Sequence, residues 1–108
     1  RLFDALRGSE RDRSLNRFRE KVSSLKAAGG RRLQSERERL LGRVRQLEQE
    51  AAQLENNIGF FARSKGAEAL IADVKAKIQR MHDEIAATMD KVRLLDRQAQ
   101  EEQNNNEQ

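Results

Sequence analysis

The chain has 108 residues, enough for one short domain and no more. It has no Cys, Pro, Trp or Tyr, which excludes a disulfide framework, a thiolate nucleophile and a zinc ribbon. Charged residues make up 37% and hydrophobic ones 36%, and no apolar run approaches the ~18–20 residues of a membrane span; the composition predicts an all-α chain.

Charge is unevenly spread. Residues 1–45 carry 14 Lys and Arg, 12 of them Arg, against 6 Asp and Glu, whereas residues 46–108 carry 8 against 12. The basic half offers Arg11, Arg13, Arg17, Arg19, Arg31, Arg32, Arg39, Arg43 and Arg45 as phosphate contacts. The other reading is a set of complementary faces that meet within the fold or across a dimer.

In chain order, Leu2, Phe3 and Leu6 form a separate apolar turn ahead of Gly8. They read as the end of an upstream helical region, and a start at Arg1 reads as a piece of a longer protein. Leu15, Phe18, Val22 and Leu25 recur at steps of three and four, predicting a helix from Glu10 to Ala28 with Ser9 as its N-cap. Gly29-Gly30 ends this first segment, residues 1–28. A hairpin over 31–98 follows, with helices over 31–58 and 65–98 and Ser64 capping the second of them. Residues 99–108 are polar without apolar period and read as a disordered tail.

The seam of the hairpin follows from its period. Leu33, Arg37, Leu40, Val44, Leu47, Ala51, Leu54 and Ile58 step by four and three, and so do Ala67, Ile71, Val74, Ile78, Met81, Ile85, Thr88 and Val92. This is the coiled-coil repeat. Folding the two series about the loop pairs Ile58 with Ala67, Leu54 with Ile71 and so on, each pair adding to one constant total. The two polar positions, Arg37 and Thr88, fall opposite each other and read as a register layer. The Arg37 guanidinium is expected to reach Glu84 or Asp90. An antiparallel coiled-coil hairpin is the result, each arm about 40 Å long at ~1.5 Å per residue.

Two helices cover only part of such a seam. Leu41, Ala86, Met89 and Leu94 cluster at the open end, where the N-terminal helix is expected to complete a three-helix bundle, Gly42 allowing a close return. The loop half then stands as a bare coil or is covered by a second subunit, as in a homodimer.

No constellation of an enzyme is present in the pattern. His82, the single histidine, reads as a solvated flank residue, because a metal or proton-transfer role needs convergent partners. The serines have no matching histidine. Gly59 and Gly66 resemble a phosphate loop only superficially, since Ala67 stands where that motif needs Lys. The chain is therefore expected to be non-catalytic, with no metal and no cofactor. At the tip, one or both of Phe60 and Phe61 fold back on Ile58, Leu70 and Ile71 to plug the coil, the favoured reading, or the pair forms an exposed partner site with Arg63 and Lys65.

The run Leu54-Glu55-Asn56-Asn57-Ile58-Gly59-Phe60-Phe61, followed by Ser64-Lys65-Gly66 and the helix through Leu70, Ile71, Val74 and Ile78, resembles the C-terminal hairpin of the bacterial (Bacteroidetes) domain-of-unknown-function 349 family. Arg17-Phe18-Arg19-Glu20-Lys21 is similar to the segment that closes that family's last repeat, so the likeness spans about residues 9–97. The resemblance implies a cytoplasmic, helical protein with upstream repeats, and it carries over no activity, cofactor or catalytic residue. The leading expectation is a structural and protein-interaction module whose protein partner is unidentified. Nonspecific nucleic-acid binding through the arginines of residues 11–45 is the alternative.

Overall fold

A computed structural model describes the backbone of residues 2–106 and the side chains of residues 8–101. Three helices follow one another, α1 (Leu2–Ala28), α2 (Gly30–Phe61) and α3 (Glu68–Asn106). Among the described residues none is long and apolar enough to cross a membrane. The molecule is a rod 66 Å long.

The α2–α3 hairpin is the spine. All sixteen expected seam positions are buried or half-buried, from Leu33 and Val92 at the open end to Ile58 and Ala67 at the loop. The best-buried are Leu47 and Ala51 on α2 and Val92 on α3. Leu95 continues the α3 series by one more step of three and is equally buried, extending the seam past its expected end.

At the open end α1 packs on both hairpin helices, making an all-α three-helix bundle. Phe18 and Val22 join Leu33, Leu40, Val92 and Leu95 in one core cluster, with Leu25, Leu41, Met89 and Leu94 packed against it. The Lys91 ammonium lies 5.7 Å from the Phe18 ring centroid, a cation–π contact at the rim of this core. Nothing but the Arg45 guanidinium, 3.9 Å away, would meet a side chain at Gly42, so the close return does not depend on that glycine.

Helix ends differ from expectation in four places. α1 runs through Gly8 without a break, so Ser9 is a helix-interior residue rather than an N-cap. One exposed glycine costs a helix about 1 kcal/mol, less than the flanking helix formers restore. The side chains of Leu2, Phe3 and Leu6 lie outside the described residues. α2 continues past Gly59 to Phe61 for the same reason as α1. α3 begins at Glu68, not at Lys65, and the Ala67 carbonyl accepts its first hydrogen bond from Ile71 N at 2.8 Å, so Ser64 is not its cap. Its other end is helical through Asn106, where a disordered tail was expected over 99–108; Glu107 and Gln108 lie outside the described residues. Glu, Gln and Ala propagate a helix that is already nucleated, even where no face is apolar.

Gly29 is a break that must be glycine. Its φ of 107° is closed to ordinary side chains, and the residue lets α1 reverse into α2 in a single step. Gly66, with φ 77°, plays the same part in the turn before α3.

Candidate functional site

Three groups of residues stand out by exposure or charge: the hairpin tip, the interhelical charge pairs and the arginines of α1 and α2. The tip follows from the helical period. Seam steps of four and three from Leu54 lead to Ile58 and then to Phe61, which is half-buried. Phe60, one residue earlier, points about 100° away and is 82% exposed. The expected plug is thus corrected for Phe60: because α2 does not break at Gly59, its ring is carried off the seam and cannot fold back. The two rings meet edge to face, with centroids 6.2 Å apart. Leu70, in the first turn of α3, is 47% exposed. Arg63 and Lys65 lie exposed in the connecting turn, which is closed by Ala62 N donating to Ile58 O and Ser64 N to Phe61 O, both at 2.9 Å.

Arg37 and Thr88 part company. The Arg37 Nε donates to Asp96 at 2.7 Å, and neither of its expected acceptors receives it. Side chains lean toward the N-terminus of their own helix. In an antiparallel pair the N-terminal direction of α2 is the C-terminal direction of α3, so Arg37 reaches beyond Thr88 to Asp96. Glu84 is instead held by Arg43 at 3.0 Å, and Asp90 by Arg11 and Arg93. Thr88 is buried, and its hydroxyl donates to the Glu84 carbonyl one turn back at 2.7 Å, so its polarity is satisfied within α3.

Glu36 went unnoticed in the sequence and is 8% exposed. It sits between Leu33 and Leu40 on the flank of α2 that α1 covers. Lys21 of α1 reaches it at 3.0 Å, and Arg39 bonds it from the next turn of α2. The Arg39 guanidinium, and after it the Lys21 ammonium, hold the Glu36 carboxyl below its usual range in spite of burial. Asp90 is lowered likewise, by the Arg11 guanidinium across the α1–α3 interface and then by Arg93. The one available signal was Glu36's place three residues after Leu33 and four before Leu40.

These two carboxylates make acid stability predictable. A depressed folded pKa adds stability above the unfolded carboxyl value of about 3.9–4.3, and this is lost as pH falls through the folded value. The melting temperature is expected to stay level from pH 7 to about pH 5 and to fall below about pH 4. A Glu36→Gln/Asp90→Asn variant should melt lower at pH 7 and show a shallower acid fall. An identical acid profile for variant and parent would show that neither pair couples folding to pH.

The nine candidate arginines are not one group. Arg11, Arg39 and Arg43 are spent on Asp90, Glu36 and Glu84. Arg19 bonds Asn16 at 3.4 Å. Arg13, Arg17, Arg31, Arg32 and Arg45 are exposed, and no ion pair among the described residues engages them. His82 is exposed too, its Nε2 3.8 Å from Glu55, and among the described residues no three His, Cys, Asp or Glu side chains converge on a point that would hold a metal. Comparison of the chain with protein-family models, with curated proteins and with solved structures finds no match.

Proposed function

We propose that this chain is a non-catalytic structural and protein-interaction module, the hairpin of a longer helical bacterial protein acting in the cytoplasm. The contact surface in this reading is the tip. What carries it is the exposure of Phe60, 82%, and of Leu70, 47%, at the loop end of a hairpin whose seam residues are buried or half-buried. Isolated exposed apolar residues are common, but Phe60 and Leu70 both stand exposed at the loop end of the rod, where Arg63 and Lys65 occupy the connecting turn.

The test separates stability from contact. Phe60→Ser is expected to change stability by less than about 0.5 kcal/mol, as an exposed substitution does, whereas Phe61→Ser should cost more. A protein partner retained by the parent chain should be lost with Phe60→Ser at unchanged melting temperature. If every captured partner survives Phe60→Ser/Leu70→Ser, the tip is not the contact surface. Nonspecific nucleic-acid binding through residues 11–45 is the second reading, and what favours it is the group of exposed arginines that no carboxylate engages.

A further inference from the structure

Which side of the molecule those arginines occupy is decided by the way α1 docks. Arg13, Arg17 and Lys21 follow one another at steps of four, so they form a stripe along one flank of α1. The Lys21–Glu36 ion pair at 3.0 Å turns that flank toward α2. On α2, Arg32 and Arg39 lie one turn to either side of Glu36, on the same flank. Arg17, Lys21, Arg32 and Arg39 therefore border the groove between α1 and α2, with Arg13 at the outer edge of the stripe, against Glu36, which is buried, and the exposed Glu10 and Glu20. Arg31 and Arg45 lie on the far side of α2, away from Leu33, Leu40 and Leu47.

We infer that the α1–α2 groove is a phosphate-binding face for duplex nucleic acid, with Arg13, Arg17 and Arg32 as its principal contacts. This rests on the second reading above and assigns it to one side of the molecule. The stripe from Arg13 to Lys21 is about 12 Å long at ~1.5 Å per residue. Over that length one strand of a duplex presents three or four phosphates, at its rise of about 3.4 Å. Arginine suits such contacts, because its planar fork matches a phosphate's oxygens. A single strand fits less well, since it is held by stacking on aromatic rings. Phe18 is buried beneath this face, and Phe60 and Phe61 are at the other end of the rod. Phosphate contacts carry no sequence information, so binding through this face is expected to be sequence-independent.

Fluorescence anisotropy of a labelled 20-base-pair duplex, titrated with the full 108-residue chain between 50 and 200 mM salt, tests this. Three to four phosphate contacts should weaken affinity by roughly 40- to 150-fold over that range, from a micromolar start. Two double variants remove the same charge from opposite sides. Arg13→Gln/Arg17→Gln should make the slope of log K against log salt shallower by about 2, and Arg31→Gln/Arg45→Gln should leave it unchanged. All four side chains are exposed, so neither variant strains the fold. Equal losses in both variants would overturn the face while leaving nonspecific binding in place. No salt-dependent binding by the parent chain, or displacement of the duplex by a poly-glutamate peptide at lower concentration than by unlabelled duplex, would overturn both and point to an acidic protein partner.

Discussion

Phe18→Ala is expected to release α1 from the bundle while the hairpin stays folded. Phe18 is 6% exposed and is the largest side chain that α1 places in the shared core. Truncating a packed phenylalanine costs about 3–5 kcal/mol, the transfer term plus the cavity left behind. The rest of the α1 attachment is Val22, the half-buried Leu15 and Leu25, two interhelical ion pairs at Asp90 and Glu36, and a hydrogen bond from Lys26 to Gln98 at 3.1 Å. Partly exposed pairs contribute at most about 1 kcal/mol each. The loss is comparable to what remains to hold α1 down, which makes α1 the marginal element of the bundle. Hydrogen exchange should show residues 10–28 losing protection, while the seam around Leu47, Ala51 and Ile78 keeps most of its own. Uniform loss of protection over all three helices would mean instead that the bundle opens as one cooperative unit.

Leu47→Ala should act on the whole chain. Leu47 is the most completely buried large side chain, at 2% exposure, and lies on the hairpin seam beyond the core shared with α1. A buried Leu→Ala change costs about 2–5 kcal/mol. In a domain of about 100 residues this lowers the melting temperature by more than about 10 °C. Leu54→Ala, two turns nearer the tip, should cost less than half as much, because Leu54 is only half-buried and already shares its surface with water. Thermal denaturation followed by circular dichroism compares the two directly. Equal losses would show that the loop half of the coil is covered in solution, as a second copy of the chain would cover it, and sedimentation would then show a dimer.

Whether a residue could be placed from sequence depended on how local its determinants are. Seam positions repeat within one helix, so Leu33 to Ile58 and Ala67 to Val92 were legible as two apolar stripes before any partner was known. The antiparallel pairing was legible as well, because a short loop leaves two adjacent stripes only one way to meet. The docking of α1 could be read from Phe18 and Val22 together with the surplus apolar residues at the open end. Gly29 was legible as a break, but Gly8 and Gly59 were misread as breaks. A glycine ends a helix only where the chain must turn, and sequence does not record that requirement.

The tip illustrates how one such error propagates. Ending α2 at Ile58 frees Phe60 to fold back, whereas continuing it to Phe61 carries Phe60 outward and puts Phe61 on the seam. The site thus turned on three residues of helix length. The candidate arginines divide for a different reason. Arg11, Arg39 and Arg43 look no different in sequence from Arg13, Arg17 and Arg32, and only the approach of Asp90, Glu36 and Glu84 from neighbouring turns or helices tells them apart.

Sequence by itself determined the three helices, the apolar seam and its antiparallel folding, because the spacing of side chains along a helix is a property of the chain alone. Tertiary structure decided the flanks. Glu36 is buried because α1 covers that side of α2 and supplies Lys21, and Arg37 turns to Asp96 because antiparallel helices lean their long side chains past one another. A flank has no period of its own. Its burial and its partners are fixed by which helix docks beside it, and that is set by the packing of the whole bundle.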